Sequence, residues 1–342
     1  MRRYLILGAS VLVSALFLWL ALKDVPLQEI WNNIQHANLL WIGVAFLSVT
    51  AGLYLRAIRW RGLVDDKIST MRSFHILNIT FLLNQLPLRA GEVARSLLAT
   101  REHIPVLTAA TSIVVERLLD TVLVVVWLAL ALTRVPDAPP EITVTAALFG
   151  VAAVGAFVIL IVFARFPNLA HWSLNLVERI LPFLKRLPLE RLLDNVLDGL
   201  KPLTNWKRAA HAIIWTLISW SVSLFTFFAL ELALDVPNIA PGTDLFLMAV
   251  IAVTMASFSI AIPVSVASFG PFEGAVLIAG KALGMDDAIA LSLGFIAHGI
   301  TVLGYAVWGT IALLVMGVSL GDVLSGGTEK PAESPVEVEG RV

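Results

Sequence analysis

The chain has 342 residues, of which 58% are hydrophobic and only 14% charged, and its mean hydropathy is +0.87. A soluble domain runs to about 45–50% apolar and about 25% charged residues, so the solvent this composition fits is lipid. A formal net charge of -1 offers nucleic acid no basic surface, and the absence of cysteine excludes disulfides, thiolate nucleophiles and cysteine metal sites.

Met1-Arg2-Arg3 is followed by an apolar run over residues 4–22 that ends in Lys23-Asp24-Val25-Pro26. The run is longer than the roughly 7–15-residue core of a signal peptide and lacks a small-residue cleavage site, so it reads as a retained helix. Five further segments are long enough to cross a bilayer: 39–55, 106–133, 142–163, 209–234 and 288–318. Two other apolar regions are broken. Residues 71–102 are interrupted by Leu86-Pro87-Leu88-Arg89-Ala90-Gly91-Glu92. Residues 244–284 are interrupted by Ile262-Pro263 and by Phe269-Gly270-Pro271-Phe272-Glu273-Gly274. Each reads as two short helical arms joined by a Pro/Gly break; an ordinary span with a kink is the alternative.

Positive charge orients the array, because short loops rich in Lys and Arg stay cytoplasmic. Arg56, Arg59, Arg61, Lys67 and Arg72 follow the second span, and Arg179, Lys185, Arg186, Arg191, Lys201 and Lys207 lie in the connection over about 165–207. The connections 23–38, 134–141 and 235–243 hold few cations or none. The pattern is consistent if both termini are cytoplasmic and both broken regions are re-entrant. The expected fold is therefore an all-α polytopic membrane protein with about six transmembrane helices plus two re-entrant broken hairpins. Residues 1–320 form one integral domain. Its halves, about 1–135 and 141–320, each cross three times, which makes them an inverted repeat, the arrangement of many secondary transporters. The connection 165–207, punctuated by Pro167, Pro182, Pro188 and Pro202, reads as amphipathic helices on the cytoplasmic face. The Gly-, Pro- and Glu-rich tail, 321–342, reads as disordered and cytoplasmic.

Ionisable groups at bilayer depth cost about 2.5–3.5 kcal/mol each on insertion scales and are functional candidates by default. The third span holds Glu116, Arg117 and Asp120, with Glu116 about 15 Å in from residue 106. Glu116 and Asp120 share a helical face, and Arg117 is spaced to pair with Asp120. The surplus acid calls for another cation, Arg89 or Arg95; a structural salt-bridge cluster is the alternative use of the set. The first broken hairpin gathers Asn78, Asn84, Gln85, Arg89, Glu92 and Arg95, in which Arg89 offers planar paired donors suited to phosphate. In the second, Glu273 stands between Gly270 and Gly274, where a carboxylate also complements a helix start. None of the six histidines has metal-ligand spacing, and His298 is the one placed to titrate within a span. No nucleotide loop, HExxH or nucleophile elbow occurs, and no cofactor is expected.

Asn84-Gln-Leu-Pro87-Leu-Arg89-Ala-Gly91-Glu92-Val-Ala-Arg95, then Glu116-Arg117-Leu-Leu-Asp120, then Gly270-Pro-Phe-Glu273 resemble the lysylphosphatidylglycerol synthase transmembrane region family, over about residues 5–317. The second-hairpin motif departs from the family in having Val264-Ser265 where glycines are frequent. The resemblance implies a flippase-like fold that handles lipids; relatives that carry a C-terminal synthase domain flip aminoacylated phosphatidylglycerol. That domain is expected to be absent here. The expectation is a lipid flippase or transporter of the inner (cytoplasmic) membrane acting on a phospholipid or glycolipid, driven by an ion gradient or running downhill, with a lipid-modifying enzyme as a further partner. An intramembrane enzyme or an accessory subunit for lipid-linked substrates is the alternative. The candidate substrate-binding set is Asn84, Arg89, Glu92, Arg95, Glu116, Arg117, Asp120 and Glu273.

Overall fold

A computed structural model of the protein describes residues 2–64, 66–86, 90–135, 140–261 and 265–321. In chain order the helices are α1 (Arg2–Leu22), α2 (Leu27–Gln35), α3 (Leu39–Leu63), α4 (Thr70–Leu83), α5 (Ala90–Thr100), α6 (Val106–Leu132), α7 (Pro140–Arg165) and α8 (Pro167–Ile180). A 3-10 turn over Pro182–Arg186 then leads to α9 (Leu189–Thr204), α10 (Trp206–Ala233), α11 (Val236–Ile239), α12 (Leu245–Ala261), α13 (Pro271–Ala282) and α14 (Asp287–Met316). Among the described residues there is no strand. The protein is an all-α polytopic membrane protein.

Each of the six expected spans is a single helix, α1, α3, α6, α7, α10 and α14, of 21 to 30 residues. At about 1.5 Å per residue each matches or exceeds the roughly 30 Å hydrocarbon core. By length and composition α3, α7, α10 and α14 qualify as spans, and α1 taken with α2 makes a fifth. α6 is equally long, but Glu116, Arg117 and Asp120 interrupt its apolar run. Side-chain caps set several starts: Asn38, Ser69, Asn205 and Asp286 each accept from a backbone N–H in the first turn that follows. Gly317, in the left-handed conformation, ends α14.

Two features depart from the sequence reading. α2 is a separate short helix at 89° to α1, within a connection read as a loop. α3 does not stop at residue 55 but continues to Leu63, so Arg56, Arg59 and Arg61 belong to the helix and not to a cytoplasmic loop.

Both broken regions contain two short helices that pack on each other, α4 on α5 and α12 on α13. Gly91 makes the first of these approaches possible: a Cβ there would overlap the Thr80 carbonyl oxygen and lie 2.6 Å from Asn84 Oδ1. Residues 87–89 and 262–264, which include Arg89 and Pro263, lie outside the described residues, as does 322–342, most of the tail read as disordered. The two breaks meet, because the Ala267 amide donates to the Gln85 carbonyl at 3.0 Å. Contacts between helices cross over: α4 packs on α14 and α12 on α6, while α5 packs on α6 and α13 on α14. α3 and α10 form the most extensive pair between them.

The connection read as amphipathic is α8, the 3-10 turn and α9. It leaves Phe166, Trp172, Ile180, Phe183 and Leu192 exposed, and the His171 Nε2–Asp194 Oδ1 contact at 3.0 Å ties its two helices together.

Candidate functional site

α3, α5, α6 and α10 converge on a chain of ion pairs. On α6, Glu116 and Asp120 are four residues apart and present both carboxylates to one neighbour. That neighbour is Arg59 of α3, 2% exposed. Its guanidinium grips Asp120 with two nitrogens, at 2.5 and 3.2 Å, and reaches Glu116 Oε1 at 3.4 Å. Arg95 of α5, 3% exposed, approaches Glu116 from the other side, Nη1 to Oε2 at 2.6 Å. The order is therefore Asp120–Arg59–Glu116–Arg95. Neutral groups complete it. Trp220 Nε1 donates to Asp120 at 2.8 Å, and Arg59 donates to the Thr216 hydroxyl at 3.0 Å, both partners being on α10. The Arg95 guanidinium lies 4.2 Å above the Trp60 ring, whose Nε1 donates to the Ser112 hydroxyl at 2.9 Å.

Arg117 does not pair with Asp120. Adjacent residues point about 100° apart around a helix, so the face that sends Glu116 inward turns Arg117 away. Arg117 donates instead to Glu92 Oε1 through Nε and Nη2, at 3.1 and 2.8 Å, and this pair is partly exposed. Glu92 and Arg95, three residues apart on α5, thus serve different partners. Arg56, half-buried one turn before Arg59, donates to the Ser223 hydroxyl of α10 at 3.0 Å.

The charge count is unequal. Among the described residues, Arg59 and Arg95 pair with Glu116 and Asp120 and Arg117 with Glu92, while Arg56, held on Ser223 one turn before Arg59, adds one positive charge beyond these pairs. Donors remain as well: among the described residues, Arg95 Nε and Nη2 are buried without a hydrogen-bond partner, and so is the Asn84 Oδ1 acceptor. A buried polar atom left unpaired costs about 1–3 kcal/mol. Arg59 Nε and Glu116 Oε1 are likewise without a hydrogen bond, and the guanidinium donors left over from the Arg95–Glu116 pair are suited to a phosphate or carboxylate oxygen. A cavity of about 350 Å³ adjoins this region, lined by Leu63, Thr108, Thr111, Ser112, Lys201 and Arg208 among others. It shares Ser112 with the Trp60 contact.

Of the candidate set, the structure brings together Arg95, Glu116 and Asp120, and places the Glu92–Arg117 pair beside them through the same two helices. Asn84 caps the end of α4, next to Gly91. Arg89 lies outside the described residues. Glu273 stands apart. It is fully buried, accepts from the Gly270 amide at 2.7 Å and faces His298 Nδ1 at 2.7 Å. The sequence reading missed Arg59, which it assigned to a basic loop. The signal available was the spacing of Arg56, Arg59, Trp60 and Leu63, which puts all four on one helical face. It also missed Glu231, fully buried in α10, both of whose carboxyl oxygens have no hydrogen-bond partner among the described residues.

A protein-family model described as the lysylphosphatidylglycerol synthase TM region matches residues 7–309. No curated protein and no solved structure matches the chain.

Proposed function

The chain belongs to the lysylphosphatidylglycerol synthase TM region family, a membership that makes it a membrane protein acting on lipids, and we propose that it is a lipid flippase or transporter carrying a phospholipid or lipid-linked headgroup across the cytoplasmic membrane. The headgroup phosphate binds where Arg95 has donors to spare, with Arg59 and Arg56 behind it and Glu116 and Asp120 holding those cations in place. The Arg117–Glu92 pair, exposed on the flank of α5 and α6, is where a headgroup passes in from the lipid, its phosphate exchanging with Glu92 on the Arg117 fork. In this reading both termini are cytoplasmic, as the positions of the Lys and Arg residues suggest.

The observation that carries this reading is the surplus positive charge with unpaired buried guanidinium donors at mid-helix depth. The crossed contacts of the two broken hairpins support it further, because two equivalent halves of a transporter would exchange partners in this way. An intramembrane site that serves only to hold helices together has no need of a cation beyond its anions.

The test is lipid movement by the purified protein in proteoliposomes, followed with labelled anionic phospholipid and labelled lipid-linked sugar. The reading expects unchanged lipid to cross faster than in protein-free vesicles, and expects Arg117→Gln, folded and expressed normally, to be slowed. Undiminished movement in that variant removes Arg117 from the path. A chemically altered lipid product makes the protein an enzyme instead.

A further inference from the structure

The second broken hairpin contains a polar site of a different kind. Glu273 and His298 are 0% and 4% exposed. His298 is held at three points: Nδ1 lies 2.7 Å from Glu273 Oε1, Nε2 lies 2.8 Å from the Ala267 carbonyl oxygen, and the ring sits against Phe269 and Phe272 at centroid distances of 4.5 and 4.6 Å. A carbonyl oxygen can only accept, so the Nε2 contact requires a proton on Nε2. The Nδ1–Oε1 contact then requires one more proton between those two atoms, carried either by the imidazole or by the carboxyl group. Without that proton one contact must fail. If the remaining proton stays on Nε2, a carboxylate faces a bare ring nitrogen. If it moves to Nδ1, the Ala267 carbonyl loses its donor.

The Ala267 contact is a sensitive place to lose a donor. Ala267 and Ser268 both have left-handed φ values, 48° and 62°, in residues with side chains. Such conformations are strained in residues with side chains and persist only where neighbouring contacts hold them. Besides its own backbone bonds, from Phe269 to Val266 and from Phe272 to Ser268, three contacts from other parts of the chain hold this turn: the His298 donor, the Val266 amide on the Ser14 hydroxyl at 3.0 Å, and the Ala267 amide on the Gln85 carbonyl. The last of these joins the tip of the second hairpin to the tip of the first.

We propose that Glu273 and His298 form a proton-binding site whose bound proton locks the two hairpin tips together, and whose loss releases them. Resting on the transport reading above, this makes the proton the coupled ion of lipid movement. Protonation completes the chain Glu273–His298–Ala267–Gln85; deprotonation breaks it at Glu273 or at Ala267. The titratable and charged surroundings are sparse. α12 carries no ionisable residue, and α1 turns Ser14, Phe17 and Leu18 toward Gly270. On α13 and α14, Lys281 is paired with Asp287, and Tyr305, two turns beyond His298, stacks on Phe81 of α4. α2 sends Asn33 to Ser292 of α14, with Glu29 at the far end of that helix lining a separate pocket. On α3, Arg56 and Arg59 are engaged with Ser223 and the α6 acids, and on α4 His75 and Arg72 lie toward the start of the helix, away from Gln85. α10 contributes Glu231, one turn beyond Phe227, which touches Phe272.

Two readouts test the site. The first is infrared difference spectroscopy of the purified protein between acidic and alkaline buffer, compared with Glu273→Gln and His298→Gln. Glu273→Gln keeps both hydrogen bonds, its amide replacing the acid, but has no carboxyl proton to lose. The proposal expects a pH-dependent carboxyl or imidazolium band in the native protein that both variants lack. If no such band appears in the native protein, or if it persists in both variants, the proton site is overturned whether or not lipid moves. The second readout is the ratio of lipid moved with a pH gradient to lipid moved without one. It should exceed one in the native protein and fall to one in Glu273→Gln; an unchanged ratio overturns the coupling. A native protein that shows the band but moves no lipid supports the proton site and refutes the transport reading.

Discussion

Beside the first broken hairpin, the Arg59 and Arg95 guanidinium groups meet two carboxylates, Arg56 adds a third positive charge held on Ser223, and Arg95 keeps two buried donors unpaired. Beside the second, one carboxylate meets one imidazole, and both carboxyl oxygens and both ring nitrogens have a partner. Burial is similar in the two places; the balance of charge and donors is not. A site with charge and donors left over is suited to a ligand that brings its own negative charge. A site that is complete with one proton and incomplete without it is suited to the proton alone. The two broken regions thus adjoin two separate polar sites, and the composition of each decides what it can hold.

The largest effect that would sharpen the comparison is at Arg59. Removing one partner of a buried pair strands the other and costs about 3–5 kcal/mol. Arg59→Met leaves Asp120 without its cation and Glu116 with Arg95 alone, so thermal denaturation in detergent should show a large drop in melting temperature or no folded protein. His298→Gln strands no comparable charge network and should cost clearly less in the same assay. Gly91→Ala comes next. Its methyl group must displace α5 from the Thr80 carbonyl, and overpacking of this kind costs about 1–3 kcal/mol. Melting temperature should fall, with increased proteolysis between α4 and α5. Ser112→Ala removes the acceptor from the buried Trp60 indole, at a cost of about 1–3 kcal/mol, and frees the ring under Arg95. A shift in tryptophan emission should accompany the loss of stability. Smallest in stability is Arg117→Gln, since partly exposed pairs contribute about 0–1 kcal/mol. Lipid movement in that variant should nevertheless fall about tenfold, roughly 1.4 kcal/mol at the barrier. An equal fall in stability would make the pair structural and remove the distinction.

The sequence made the acids of α6 visible, because charges inside an apolar run have few uses, and the four-residue spacing of Glu116 and Asp120 correctly put them on one face. It did not reveal their main partner. Arg59 sits near the end of α3, where Lys and Arg ordinarily mark a cytoplasmic loop, and the positive-inside rule cannot tell a snorkelling arginine from one turned inward. The partner of Arg117 was misread because spacing permits Asp120, whereas the direction of the side chain points it at α5. α2 was missed as a short and largely polar helix, held by Ile30 and by contacts to Ser292 of α14. His298 was visible as an ionisable group in a span. Its bond to Glu273 joins two helices across 25 residues, a separation that no local pattern encodes.

The central claim is that the surplus charge beside Arg95, with the spare donors of its guanidinium, selects an anionic headgroup. The direct measurement is the rate of movement, in proteoliposomes, of lipids with identical acyl chains and anionic, zwitterionic or uncharged headgroups, for the native protein and for Arg95→Lys. Lysine keeps the charge but loses the planar fork that serves Glu116 and a phosphate together. The account predicts that the native protein moves the anionic lipid at least about tenfold faster than the uncharged one, a difference of about 1.4 kcal/mol, and that Arg95→Lys loses most of that preference. Equal rates for all headgroups in the native protein, or an unaltered preference in Arg95→Lys, would contradict it.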